Sequence, residues 1–253
     1  MGPLGGTCKS ILGVLGGESV AADVRAVCGR RLTVKTIYNG IDLESFSPSG
    51  STLDLDALSG LPPATPGTVR VGMLATLARW KGHETFLRAM ALLPADLPVR
   101  GYVAGGALYQ TNGSQHSLVE LKRLAHKLGI SNRVGFTGFI DDPAAAMRAL
   151  DIVVHASTQP EPFGLVIIEG MACGRAVIAA GTGGAAELIT DGADGLGHTP
   201  GDANFLAARI MQLASDAHLR ARLGRSGRKT AEHRFDRARL ATELIPLYLS
   251  VRR

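Results

Sequence analysis

The sequence predicts an α/β fold, a parallel sheet flanked by helices, with a helical C-terminus. Five short apolar runs end in small residues, at Val69–Ala75, Val99–Gly105, Val134–Gly138, Ile152–Ala156 and Ala176–Gly181. Between them lie stretches of helical period, at His83–Leu93, Ser117–Leu128, Pro143–Leu150 and Leu165–Cys173. β-Branched runs alternating with helices make βα units, and their near-continuous apolarity suits strands covered on both faces.

The flanking segments follow in order. Residues 1–30 read as an irregular start and then an amphipathic helix. The Lys9–Leu15 segment is too short and too broken by glycine for a signal peptide. Thr33–Tyr38 alternates as a strand does, and Asn39-Gly40 ends it with a turn signal. Residues 49–68, rich in Ser, Gly and Pro, read as a linker or long surface loop. From Asp202 the chain reads as helical to its end, in three segments.

With 253 residues and 45% hydrophobic content, a chain can bury about three-quarters of its unfolded surface without disulfides or a structural metal. Cys8, Cys28 and Cys173 are widely spaced. They suit neither a disulfide framework nor a zinc ligand set, and indicate a reducing, cytoplasmic setting. No apolar run reaches the roughly 18–20 residues that span a bilayer. From Arg209 onward there are 11 Lys and Arg against 4 Asp and Glu, so +7 of basic excess lies in the terminal helices. That face is expected to solvate, and a contact with the inner face of an anionic membrane is a weaker expectation. Aromatic residues there are only Phe235 and Tyr248, too few to stack bases, so no nucleic-acid partner is expected.

Ligands of open parallel sheets sit at the carboxyl ends of the strands. The residues to read are therefore Thr76–Gly82, Gly105–Leu108, Gly138–Asp142, His155–Gly164 and Gly181–Glu187. The most informative is Glu161-Pro162-Phe163-Gly164-Leu165-Val166-Ile167-Ile168-Glu169. Pro162 sits where a helix can start, and Gly164 leaves the backbone open to a ligand. The amides of Gly164, Leu165 and Val166 then present the positive end of a helix to a phosphate. The two carboxylates can each accept hydrogen bonds from sugar or ribose hydroxyls. Glu169 lies in an apolar helix, where a carboxylate without a partner is costly. An anion site between two diol acceptors describes a sugar nucleotide.

The E-P-F-G-x-x-x-x-E pattern resembles the nucleotide-sugar signature of retaining glycosyltransferases of the GT-B fold, group 1 (family 4-like). Asn39-Gly40-Ile41-Asp42 with Phe46 and Pro48 resembles that family's hinge, and Trp80-Lys81-Gly82 its lysine after the first strand of the second domain. Gly138-Phe139, Gly183-Gly184-Ala185-Ala186-Glu187 and Asp191-Gly192 through Gly195-Leu196 resemble its later turns, in the right order.

The resemblance implies a Rossmann-like sheet forming the C-terminal half of a GT-B fold. It divides the chain into a remnant of the N-terminal acceptor domain with the hinge (1–42), a linker (43–68), a nucleotide-sugar-binding domain (69–235) and a crossover helix (236–253). It implies that Lys81 binds the diphosphate and that Glu161 holds the donor sugar, these two being the catalytic candidates. Glu169 would hold the ribose, the backbone at Gly138 and Phe139 the base, and the tip formed by Phe163, Gly164, Leu165 and Val166 the phosphates. Nucleotide-diphospho-sugar is then the donor substrate, with no cofactor and no metal, and the acceptor is a glycan or lipid-linked group. His155, close to Glu161, is a further donor-site candidate. Where family members carry Arg, five positions before the lysine, this chain has Thr76, and Arg79 is the candidate substitute. A complete enzyme has a full N-terminal domain, so a truncated gene or a complementary partner is expected.

Two weaker patterns have other readings. Gly181-Thr182-Gly183-Gly184-Ala185-Ala186 fits the G-x-G-x-x-A of an NAD-dependent oxidoreductase, but on the fifth strand rather than the first. Asp54-Leu55-Asp56 is a D-x-D without a preceding strand, so a metal role is not expected. A non-catalytic nucleotide-sugar-binding module is the main alternative to the enzyme.

Overall fold

A computed structural model describes residues 11–29, 32–106 and 113–251. Cys8, the start of the Lys9–Leu15 segment, and Ala107 and Leu108 of the second loop lie outside the described residues. The chain opens with a parallel strand pair, β1 (Ile11–Leu15) and β2 (Leu32–Thr36), joined by α1 (Glu18–Cys28). The expected helix is α1. The strand before it was hidden because Gly13 interrupts the apolar run and leaves no alternation to read.

The presumed linker carries a short helix, α2 (Leu55–Ser59), capped by the Asp54 side chain on the Ala57 amide. Asp56 is buried and accepts from the Tyr102 hydroxyl at 2.7 Å and from Arg100 at 2.6 Å, with Arg70 at 3.3 Å. The D-x-D is thus a helix cap followed by a buried anchor.

The remaining elements alternate: β3 (Val69–Leu74), α3 (His83–Leu92), β4 (Val99–Ala104), α4 (Leu118–Lys127), β5 (Val134–Gly138), α5 (Pro143–Arg148), β6 (Ile152–His155), α6 (Leu165–Ala172), β7 (Ala176–Ala180) and β8 (Leu196–His198). Three helices follow, α7 (Ala203–Ser215), α8 (Ala217–Arg234) and α9 (Arg239–Val251). Capping side chains set several starts: Ser117 and Glu120 form a reciprocal box on α4, Asp142 precedes Pro143 on α5, and Asp202 and Asp216 cap α7 and α8.

Six strands form one all-parallel sheet in the order β5-β4-β3-β6-β7-β8. β8 escaped the sequence reading because it is three residues long and ends in a histidine. Alternate strand residues feed two apolar layers. Val71, Met73, Val103 and Ile152 pack with α3, α4 and α7, while Tyr102, Val153 and Val177 pack with α5, α6 and the end of α8. The order reverses between β3 and β6, and ligands of such sheets sit in the crevice outside that switch point. The Asn39–Asp42 segment is tied to the far end of the chain. Ile41 donates to the Phe235 carbonyl at 2.7 Å, and Arg237 donates back to Ile41 at 3.0 Å.

Candidate functional site

The two strands at the reversal deliver Lys81 and Glu161. After β3 the chain makes one 3₁₀ turn at Arg79–Lys81 and leaves it through Gly82, whose φ is +82°. A Cβ on Gly82 would lie 1.9 Å from the Ala156 carbonyl oxygen, so the turn rests directly on the end of β6. Thr158 donates its amide (2.7 Å) and hydroxyl (3.1 Å) to the Trp80 carbonyl and pins the same turn to the next loop. The Lys81 ammonium lies 4.2 Å from the Trp80 ring centroid, a cation–π contact.

The loop after β6 is held from the other side by the Gly183–Glu187 turn. Gly184 donates to the Glu161 carbonyl at 2.8 Å, and a Cβ on Gly184 would lie 2.1 Å from the Pro162 oxygen. These glycines serve the close approach of two protein backbones, which accounts for G-x-G-x-x-A without a dinucleotide. At the end of that turn, the Glu187 carboxylate accepts from the Glu18 amide (2.8 Å), the Ser19 amide (2.5 Å) and the Tyr38 hydroxyl (3.0 Å), capping α1.

The Glu161 carboxylate is buried and fully engaged. Lys81 Nζ donates to Oε2 at 2.7 Å, while the Ser157 hydroxyl (2.6 Å) and His155 Nε2 both donate to Oε1. The Ala180 amide donates to His155 Nδ1 at 3.3 Å, which puts the ring proton on Nε2. Burial alone would raise the pKa of Glu161. Hydrogen bonds from His155, Lys81 and Ser157 outweigh it and hold the carboxyl at about 2.

α6 begins at Leu165, with Gly164 (φ +107°) at its N-cap. Pro162 therefore belongs to the loop and does not open the helix as the sequence suggested. The Gly164, Leu165 and Val166 amides find no acceptor among the described residues. Val166, in the first turn of α6, shares a small cavity with Lys81, His155 and Ser157, so the start of the helix lies beside the Lys81 ammonium. Further into α6, Glu169 is half-buried and has no hydrogen-bond partner among the described residues; burial pushes its carboxyl up to about 7. Beside this lies a cleft of about 150 Å³ lined by Thr76, Ala104, Gly105, Gly106, Phe139 and Pro143. Gly138, at φ +74°, turns the chain there and leaves Phe139 64% exposed at the rim.

Two side chains expected at the donor are engaged elsewhere in this structure. Arg79 is committed elsewhere: its guanidinium donates to the Gly113 carbonyl (2.7 Å), His116 Nδ1 (3.1 Å) and Glu120 (3.1 Å). Phe163 is buried, its ring 6.2 Å from Tyr38 and 6.0 Å from Phe235, so its side chain belongs to the core. Ser157 was missed. It lies two residues after His155 where a strand ends, and residues two apart share a face. Among the described residues no group of three His, Cys, Asp or Glu side chains is arranged to hold a metal ion.

Comparison with known proteins bears on the family and the fold. The family model for glycosyl transferases group 1 matches residues 64–230. D-inositol 3-phosphate glycosyltransferase 2 of Catenulispora acidiphila is 36% identical over 210 residues, covering 79% of this chain and 46% of the relative. The lipopolysaccharide core biosynthesis glycosyltransferase LpsE of Rhizobium meliloti is 30% identical over 209 residues, covering 82% of this chain and 57% of that one. The chain thus spans about half the length of the curated relatives it matches. Among solved structures, Anabaena Alr3699/HepE in complex with UDP-glucose superposes with a TM-score of 0.83 at 32% identity, over 94% of this chain and 63% of its own. The C-terminal domain of the Francisella tularensis group 1 protein LpcC gives 0.66 at 28%, over 78% of this chain and 99% of its own. These matches leave no place for the oxidoreductase reading of the glycine turn. With a six-stranded parallel sheet of GT-B type, a family-model match over residues 64–230 and relatives at 30–36% identity, this chain belongs to the group 1 glycosyl transferase family.

Proposed function

We propose that the chain is the donor-binding part of a retaining glycosyltransferase that takes a sugar from a nucleotide-diphospho-sugar. The observation that carries this is the 2.7 Å pair between Lys81 and Glu161, set at the β3–β6 reversal beside the open tip of α6. In glycosyl transfer the bond to phosphate breaks and negative charge grows on the departing diphosphate. An ammonium and a helix tip already aimed at that position stabilise the transition state more than the ground state, and in this reading they take the role a divalent ion takes elsewhere. Glu161, ionised at neutral pH, accepts from a sugar hydroxyl. Glu169 has both oxygens free for the ribose diol, and the cleft at Gly138 and Phe139 takes the base. The HepE structure holds UDP-glucose, which makes UDP the first ligand to try. Residues 1–42 as acceptor-domain segment and hinge, 43–68 as linker or loop, 69–235 as donor domain and 236–253 as crossover belong to the same proposal. So do a cytoplasmic setting and a membrane contact through the basic terminal helices. Among the described residues no helix is long and apolar enough to cross a membrane.

UDP is expected to raise the melting temperature of the chain, and to do so less in Lys81→Ala and Glu169→Ala. Equal stabilisation of parent and variants would refute the assignment. A second reading, donor binding without transfer, is favoured by Thr76 in the place of the family arginine and by the commitment of Arg79 to Glu120. Donor-hydrolysis and transfer assays, with and without a supplied N-terminal domain, separate the two.

A further inference from the structure

We propose that His155 and Ser157 are positioning residues that saturate Oε1 of Glu161, so that Oε2, shared with Lys81, is the one carboxylate oxygen offered to the donor, and it takes a single sugar hydroxyl. The proposal rests on the donor-site reading above. An ionised carboxylate has about four acceptor positions on its two oxygens. Two on Oε1 are filled by His155 Nε2 and the Ser157 hydroxyl, and one on Oε2 is filled by Lys81 Nζ. One remains.

The lock is built from behind as well. His155 Nε2 is a donor because the Ala180 amide occupies Nδ1. The His155 carbonyl accepts in turn from His198 Nε2 at 3.1 Å. β8 therefore reaches across β7 to steady the end of β6. His155, Ser157 and His198 are all buried, so water does not compete for these bonds.

The consequence is chemical. A carboxylate with both oxygens free clamps a vicinal diol, whereas Glu161 and Lys81 present one acceptor beside one donor. A single hydroxyl fits this pair, donating to Oε2 and accepting from Nζ. Glu169, with neither oxygen bonded among the described residues, is the diol acceptor of the site once it ionises.

Calorimetric titration of the whole chain with UDP and with UDP-glucose tests this, using His155→Phe, His155→Gln and Ser157→Ala. The readout is the ratio of the two affinities, the gain due to the glucosyl group. We expect His155→Phe to bind UDP within about twofold of the parent and to lose about tenfold or more of that gain, the size of a lost hydrogen bond to a charged group. His155→Gln, which keeps a donor at the ring-Nε2 position, recovers it. Ser157→Ala loses part of it and carries the test if His155→Phe does not fold. Equal loss of UDP and UDP-glucose would show a merely structural role and overturn the proposal. So would an unchanged ratio in the Phe and Ala variants, or a parent that gains nothing from the glucosyl group. A parent that does not bind UDP overturns the donor-site reading itself.

Discussion

Glu169→Gln separates what the Glu169 carboxyl does for ligand binding from what it does to the fold. Burial raises the carboxyl from an ordinary 4.5 to about 7. The folded state therefore holds its proton more tightly than the unfolded chain does. The stability this gives is complete below pH 4.5, where both states are protonated. It is lost as the pH climbs through about 7, where ionising the folded carboxyl has become as costly as keeping it neutral. At about 1.4 kcal/mol for each pH unit between the two values, the loss above pH 7 is about 3 kcal/mol. Glutamine keeps the shape and cannot ionise. Glu169→Gln is expected to match the parent near pH 4.5 and to exceed it by up to about 3 kcal/mol at pH 8, a melting difference of about 6–12 °C for a chain of this size. The assay is thermal and urea unfolding of both proteins from pH 4.5 to 8.5, the difference between them cancelling every other titrating group. In the proposed site the same substitution removes the ribose acceptor, so the stabilised variant is expected to bind UDP more weakly, and most so above pH 7. A constant difference in stability across the pH range would refute the argument from burial, and undiminished UDP affinity would refute the ribose role.

Other perturbations probe the frame around the site. Gly82→Ala forces a side chain into the Ala156 carbonyl at positive φ and should cost at least about 2 kcal/mol together with UDP binding, as read by urea unfolding and calorimetry. Lys81→Met leaves the buried Glu161 carboxylate without its cation, and a stability loss of about 3 kcal/mol is expected at pH 7. Glu161, held at about 2 against an ordinary 4.5, adds stability that is present above pH 4.5 and lost as the pH falls towards 2; Glu161→Gln should flatten that acid limb. Glu187→Ala removes the cap of α1, worth about 1 kcal/mol, and should speed cleavage within residues 16–37 under limited proteolysis.

The parallel sheet was legible because strands covered on both faces must be largely apolar, and Ala176–Ala180 carries that signal undiluted while Ile152–His155 carries it up to its final histidine. β8 was not, since a three-residue edge strand has too few side chains to set a period. Strand ends in such a sheet face one crevice, which marked the loops holding Lys81 and Glu161, and the motif and the family resemblance then singled out the two residues. Their 2.7 Å contact could not be read this way, because it depends on where Gly82 and Gly184 let separate loops touch. Arg79 shows the converse: its place beside Lys81 in the chain says nothing of the Glu120 carboxylate 41 residues later that draws it away. Phe163 sat inside the motif and still turned inward, since Tyr38 and Phe235 offer it an apolar cage.

The short turn from Gly183 to Glu187 has the donor loop at one end and α1 at the other. One end grips by the Gly184 amide, the other by a carboxylate, and four residues wound as a 3₁₀ coil have little slack between them. Five residues thus tie the backbone of the Glu161 loop to the start of α1 and to the Tyr38 hydroxyl, so that the placing of that loop and the anchoring of the β1–α1–β2 unit depend on the same short turn.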